Sequence, residues 1–287
     1  MDKRLGDLRR RSSSENAGAQ DGRLEALTRG VVALVVAALS FAVVLTPDVA
    51  AAAGTCGTKG VGQTWQTGFY HDPVSFPGNP SYEGASGYIV VRDGDVCTGP
   101  NAFNANFLNA WLMITGQGNT WAQVGFERNA GQTLTWFAQD VQDPNHDNIL
   151  QPGEIATWYY QCCSIVNQVG VRHTFQVLYN SPCGCIKMII DGIAAQSTTY
   201  NPYAYSSGWG SFSAWLPTFA AEAGFPQSDV PGTSGGKTAF TALGAQLVSN
   251  DQLVPMSCSM NFVNENPSRW GLSASSCDAI NIWTSAP

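Results

Sequence analysis

After residue 60, apolar and polar positions alternate along much of the chain with a period of two. In "RHTFQVLY", His173, Phe175, Val177 and Tyr179 fall on one side, and Thr174, Gln176 and Leu178 on the other. That is the side-chain period of a strand, not of a helix. "GYIVVRDGDVC" is a β-branched run ending in a turn at Asp93-Gly94. "NAWLMITGQGNTWAQVGFER" reads as two strands around a Gly-rich turn, Gly116 to Asn119, because Gly and Asn accept the positive φ of tight turns. "TLTWFAQD", "EIATWYYQCC" and "CIKMIIDGIAAQ" are further strands. Phe212 to Ala223 and Thr238 to Val248 admit either a helical or a strand reading. Regularly spaced short strands with turn signals predict an all-β chain, an antiparallel β-sandwich. The stretch from Val254 onward looks loop-rich, stapled by Cys258 and Cys277.

The first 53 residues break this pattern. Seven of the fourteen basic residues lie between Met1 and Arg29, followed by an uncharged run of fifteen residues, Val31 to Leu45, and the small-residue cluster "VAAAAG". A charged start, an apolar middle and an Ala-rich exit are the parts of a secretory signal peptide. The run is shorter than the ~20 residues that span a bilayer. We therefore expect cleavage near Ala51 to Ala53, a single secreted domain over 54–287, and no membrane attachment afterwards. Beyond residue 53, seven basic and fifteen acidic side chains remain, a net charge of −8. An acidic surface without a basic stripe speaks against nucleic acid and anionic lipid as partners. All eight cysteines lie beyond the leader, and an even number in an exported chain reads as disulfides. Cys56–Cys97 and Cys258–Cys277 each flank a loop-rich segment. Cys162 and Cys163 are expected to pair with Cys183 and Cys185, in an order the sequence leaves open.

Candidate chemistry appears in three places. "DPNHDNILQPGE" sets Asp143, Asn145, Asp147 and Glu154 at the first, third, fifth and twelfth positions of a loop, with the Ile149 carbonyl at the seventh. That is the oxygen spacing of a calcium site. Its flanks read as strands, so calcium here would stiffen a hairpin and serve as scaffolding. "YNPYAYSSGWGSFSAW" places Tyr203, Tyr205 and Trp209 in a Gly/Ser-rich loop, where aromatic rings suit a peptide or carbohydrate groove. The three histidines share no ligand spacing, and no "GxSxG" elbow marks a nucleophile.

The third place is a pair of segments, "NAWLMITGQGNTWAQVGFER" and "FAAEAGFPQSDVPGTSGGKTAFTAL". Over roughly residues 109–243 they resemble the glutamic peptidases, exported concanavalin-like β-sandwiches of jelly-roll type. Neprosin-type sandwiches, which use two glutamates, are a more distant likeness. The resemblance matches Gln123 of "AQVGF" to the family's catalytic Gln and Glu222 of "AAEAGF" to its catalytic Glu. Ala223 stands where the family's Glu is followed by Trp. What the resemblance implies is a glutamic endopeptidase with Gln123 and Glu222 as its pair. A non-catalytic module that binds carbohydrate or cell envelope, and a structural exoprotein, are the alternatives.

The calcium expectation is directly testable. A ligand that binds only the folded chain raises its stability by mass action. A calcium chelator should therefore lower the melting temperature, and Asp147→Ala should abolish the difference. An unchanged melting temperature on chelation refutes the site.

Overall fold

Strands account for nearly all of the regular structure. The computed structural model describes residues 55–57, 64–70, 81–98, 106–116, 120–142, 158–204, 209, 215–258 and 260–285. In chain order the strands are β1 (Trp65–Tyr70), β2 (Tyr82–Val90), β3 (Phe107–Thr115), β4 (Trp121–Asn129) and β5 (Thr135–Val141). They continue with β6 (Trp158–Ser164), β7 (Arg172–Asn180), β8 (Cys185–Ile190), β9 (Ile193–Ser197) and β10 (Leu216–Ala223). The last are β11 (Thr238–Leu247), β12 (Leu253–Pro255), β13 (Asn261–Asn264), β14 (Trp270–Ser276) and β15 (Ala279–Thr284). The one helical piece among the described residues is a three-residue 3-10 turn, Val166–Gln168. No helix there is long and apolar enough to cross a membrane.

These strands form two antiparallel sheets. One runs β13-β1-β10-β3-β4-β5-β6 and the other β14-β15-β11-β2-β7-β8-β9, with β12 on β11. They pack face to face through β2 on β3 and β10, and through β4 on β7 and β8. The alternation explains the layer between them. Leu108, Ala110, Leu112 and Ile114 of β3 join Ala122, Val124 and Phe126 of β4 and Phe219 and Ala221 of β10 in one buried cluster. Ala85, Ile89, Phe175, Val177, Ile186 and Met188 meet them from the second sheet. The β8–β9 turn shows how local chemistry sets a hairpin. Asp191 and Gly192 both have positive φ, 49° and 79°, as a two-residue turn between right-twisted strands requires.

Three expectations are settled or corrected here. Where the two ambiguous segments are described, they form strands β10 and β11. The stretch from Val254 is less loop-rich than its composition indicated, because β14 and β15 form a hairpin with Leu272 opposite Ile282. Ala274 takes an inner position opposite Ile280 and Ser273 an outer one opposite Asn281, so small residues on both faces hide the alternation. Cys56 pairs with Cys97 and Cys258 with Cys277, as expected. Cys162, however, pairs with Cys163, and Cys183 with Cys185. The reason is topological: β6 edges one sheet while β8 lies in the other, so the two cysteine segments never become ladder neighbours. The calcium segment, Asp143 to Glu154, and Tyr205 lie outside the described residues. Strands β5 and β6, which pair antiparallel, flank the former.

One row on the outer face of the seven-stranded sheet carries the site above it. Gly68, Ala220, Trp111, Gly125 and Phe137 pair in succession across β1, β10, β3, β4 and β5. Trp111, Phe137 and Ala220 form a small buried cluster of their own. The ladder neighbours of Trp111, Ala220 and Gly125, are small, and at Gly125 the adjoining backbone leaves no room for a side chain. A Cβ on Gly125 would lie 2.0 Å from the Ala110 carbonyl oxygen and 2.8 Å from the Trp111 Cα. We expect Gly125→Val to cost about 1–3 kcal/mol, the usual range for overpacking, and to alter Trp111 fluorescence. A variant of parental stability would show that this row is looser than described.

Candidate functional site: a carboxylate row on the seven-stranded sheet

Two further rows flank the Trp111 row on the same face. On one side Tyr70, Thr218, Met113, Gln123 and Gln139 pair in succession. On the other the succession is Gln66, Glu222, Asn109, Glu127 and Thr135. Gln123 and Glu222 therefore share a face but not a row. They stand four residues apart along the strands and two strands apart across them, about 13 Å by about 10 Å. In the Gln123 row, β10 contributes Thr218. Gln123 instead donates from its amide to Gln139, 2.6 Å away.

The row that holds Glu222 holds a second carboxyl, which the motif comparison did not single out. Glu222 and Glu127 stand either side of Asn109, their Cα atoms two strand spacings apart, about 10 Å. The residue Glu222 is half-buried, and its Oε2 accepts from the Trp111 indole nitrogen at 3.3 Å. Burial raises its pKa, while hydrogen bonds from Thr64, Trp111, Asn109 and Gln66 pull the other way by favouring the ionised form. Glu127 is 5% exposed. Burial pushes its carboxyl up to about 7, opposed in part by Asn129, and Gln161 donates to it at 3.0 Å. Asn109 is 4% exposed, and its Oδ1 is buried without a hydrogen-bond partner. Gln66 and Thr135 are half-buried and Gln161 is exposed, so the row reaches solvent at both ends while its middle is enclosed.

Burial raises the pKa of both carboxyls, and they differ in surroundings: Glu222 is faced by several hydrogen-bond donors and Glu127 by fewer. An acid and a base on one site require two such unlike environments. The signal for Glu127 was present in the sequence, since it stands four residues after Gln123 and so on the same strand face. Choosing it needed the β3–β4 register.

The expected loop aromatics sit elsewhere. Trp209 is fully buried, its ring 5.0 Å from that of Trp215 and its nitrogen donating to the Tyr200 hydroxyl at 3.2 Å. Tyr203 stacks on Tyr179 and Trp215 and donates its hydroxyl to Glu83. The rings of both are engaged with other aromatics rather than presented to a groove.

Buried carboxyls also determine how stability depends on pH. Glu83 and Glu127 are raised to about 7 and Asp140 to about 6, each chiefly by burial. Between their ordinary values and these, the folded chain holds protons that the unfolded chain has released. Stability must then fall as pH rises. The melting temperature should be lower at pH 8 than at pH 5, and Glu127→Gln should flatten part of that fall. A melting temperature that climbs over this interval contradicts the assignment.

No protein-family profile matches this chain, and no curated protein does. Among solved structures, scytalido-glutamic peptidase with a transition state analog inhibitor is similar over 78% of this chain and 98% of its own, with 12% identity and a TM-score of 0.46. A transglycosylase in complex with NAG is similar over 56% of this chain and 57% of its own, with 13% identity and a TM-score of 0.30. The kappa-carrageenase from Pseudoalteromonas carrageenovora, in complex with an oligotetrasaccharide of kappa-carrageenan, covers 71% and 65%, with 10% identity and a TM-score of 0.29. The chain thus has a weak resemblance to the glutamic peptidase β-sandwich, a likeness of fold alone.

Proposed function

We propose that the protein is an exported hydrolase of peptide bonds that works through Glu222 and Glu127. The observation that carries this reading is the single row Glu222–Asn109–Glu127, in which two carboxyls in unlike hydrogen-bond surroundings flank a buried amide oxygen without a partner. The motif resemblance over residues 109–243 favours an amide substrate. Gln123, four residues along the strand, keeps a place in substrate binding rather than in the proton transfers.

The chemistry follows from the two environments. Glu222 removes a proton from a water as that water attacks the scissile carbonyl carbon. The middle of the row must open to admit a peptide, since Asn109 and Glu127 are enclosed; the Oδ1 of Asn109 then accepts a hydrogen bond from the scissile amide N–H. Glu127, protonated below about 7, gives its proton to the leaving nitrogen as the C–N bond breaks. The proton left on Glu222 returns through solvent to Glu127, which restores both carboxyls and leaves the water divided between the new acid and the new amine. Proton transfer by a positioned side chain contributes about 10²–10⁴-fold to rate.

Fluorescently labelled casein serves as the assay substrate. Cleavage should decline as pH rises through about 7, where Glu127 loses its proton, and decline again toward acid, where Glu222, its pKa raised by burial, takes one up. Glu222→Gln should lower the rate by about 10²-fold or more with folding intact. Gln123→Ala should act mainly on KM. Full activity in Glu222→Gln excludes the proposal, and a loss of kcat confined to Gln123→Ala returns the active pair to the other row.

A further inference from the structure

The eight-stranded sheet carries a hollow on its outer face that the proposed hydrolase site does not use. Gln246, Gly84, Leu178 and Lys187 pair in succession across β11, β2, β7 and β8. Gly84, in the middle of this row, lets the Gln246 amide lie against the backbone: a Cβ there would come within 2.8 Å of the Gln246 Oε1 and 2.6 Å of the Val177 carbonyl oxygen. Above the row opens a cavity of about 230 Å³, lined by Leu178, Ile189, Lys187, Gln246, Ser181 and Asp251 among others.

Its chemistry is graded from floor to rim. Gln246 is 4% exposed. Its amide nitrogen donates to the Tyr179 carbonyl at 2.9 Å, which leaves Oε1 as a buried acceptor without a partner. Leu178 and Ile189, both half-buried, supply an apolar surface beside it. The charges stand further out, Lys187 half-buried and Asp251 exposed. Two turns form the walls and are joined: the Ser181 hydroxyl donates to Asp251 at 3.3 Å. The Cys183–Cys185 disulfide closes the first of these turns, and Cys185 begins β8 opposite Asn180.

We propose that this hollow binds one sugar unit of a polysaccharide. The buried acceptor needs a donor, because an unpartnered buried polar atom costs free energy that a hydrogen bond recovers. A neutral acceptor in an enclosed place favours a neutral donor, since an ammonium buried there would lose its hydration without a counter-charge. A hydroxyl meets that requirement. A pyranose then lays its C–H face on Leu178 and Ile189, donates one hydroxyl to Gln246 Oε1, accepts at another from Lys187, and donates at the rim to Asp251. The site lies on the other sheet from Glu222 and Glu127, so it tethers the protein to a glycan without taking part in hydrolysis.

The test is titration of the purified protein, followed by NMR, with glucose, N-acetylglucosamine and their β-1,4-linked dimers. Free leucine serves as a zwitterionic rival. At least one saccharide should saturate, with the largest shifts at Gly84, Leu178, Ile189 and Gln246. Lys187→Met, a change at a half-buried surface position, and Gln246→Leu should each weaken it about tenfold, the equivalent of one lost hydrogen bond. Glu222→Gln should bind as the parent does, whatever becomes of its hydrolysis. The proposal is overturned if no saccharide saturates, if leucine binds in their place, or if Lys187→Met and Gln246→Leu both bind as tightly as the parent. Loss of binding in Glu222→Gln overturns it as well, by moving the sugar to the other sheet.

Discussion

A strand has two faces, and in the β10–β3–β4 ladder both are enclosed. Leu108, Ala110, Leu112 and Ile114 must face the second sheet, because that is where the apolar layer lies. Asn109, Trp111 and Met113 are then committed to the outer face. A slip of one residue would drive Asn109 and the Trp111 row into the layer between the sheets and turn the leucines to the polar face. Core packing therefore fixes the register, and the register alone decides which outer polar groups become neighbours. Glu222 meets Asn109 and Glu127 for this reason, and Gln123 meets Met113 and Thr218.

The same enclosure shapes the electrostatics. An exposed glutamate has no reason to hold a proton near neutrality, whereas Glu127, buried beside Asn109 and Thr135, does. Glu222 experiences burial too, but the Trp111 indole and its neighbours point donors at it. Gly125 and Ala220 stand on either side of Trp111 in the ladder, and Gly125 lets the β4 backbone close on Ala110 and Trp111. On the second sheet, Gly84 lets the Gln246 amide lie against the backbone.

Much of the architecture was readable in the residues themselves. The period of two in "RHTFQVLY" and "NAWLMIT", the Asp191-Gly192 turn and the long-range pairing of Cys56 with Cys97 all reflect local chemistry or simple spacing. The β14–β15 hairpin was obscured because small residues stand on both its faces, Ala274 opposite Ile280 and Ser273 opposite Asn281. A Gly- and Ser-rich context reads as surface, yet Trp209 is buried against Trp215, and half-buried Tyr203 packs on Tyr179 and Trp215. The cysteine pairing between Cys162/Cys163 and Cys183/Cys185 presumed neighbouring strands, and strand order across two sheets is not a local property.

What the sequence by itself determined is the class of fold, the face each residue takes within a strand, and the candidate side chains Gln123, Glu222 and Asp143 to Glu154. These depend on side-chain period, turn preference and spacing, which act over a few residues. The tertiary structure decided strand order, ladder register and burial. Glu222 and Glu127 are separated by 95 positions in the chain but by one residue, Asn109, across the sheet. No local preference encodes that meeting. It arises because two strands distant in sequence bury their apolar faces in the same layer and leave their polar faces side by side.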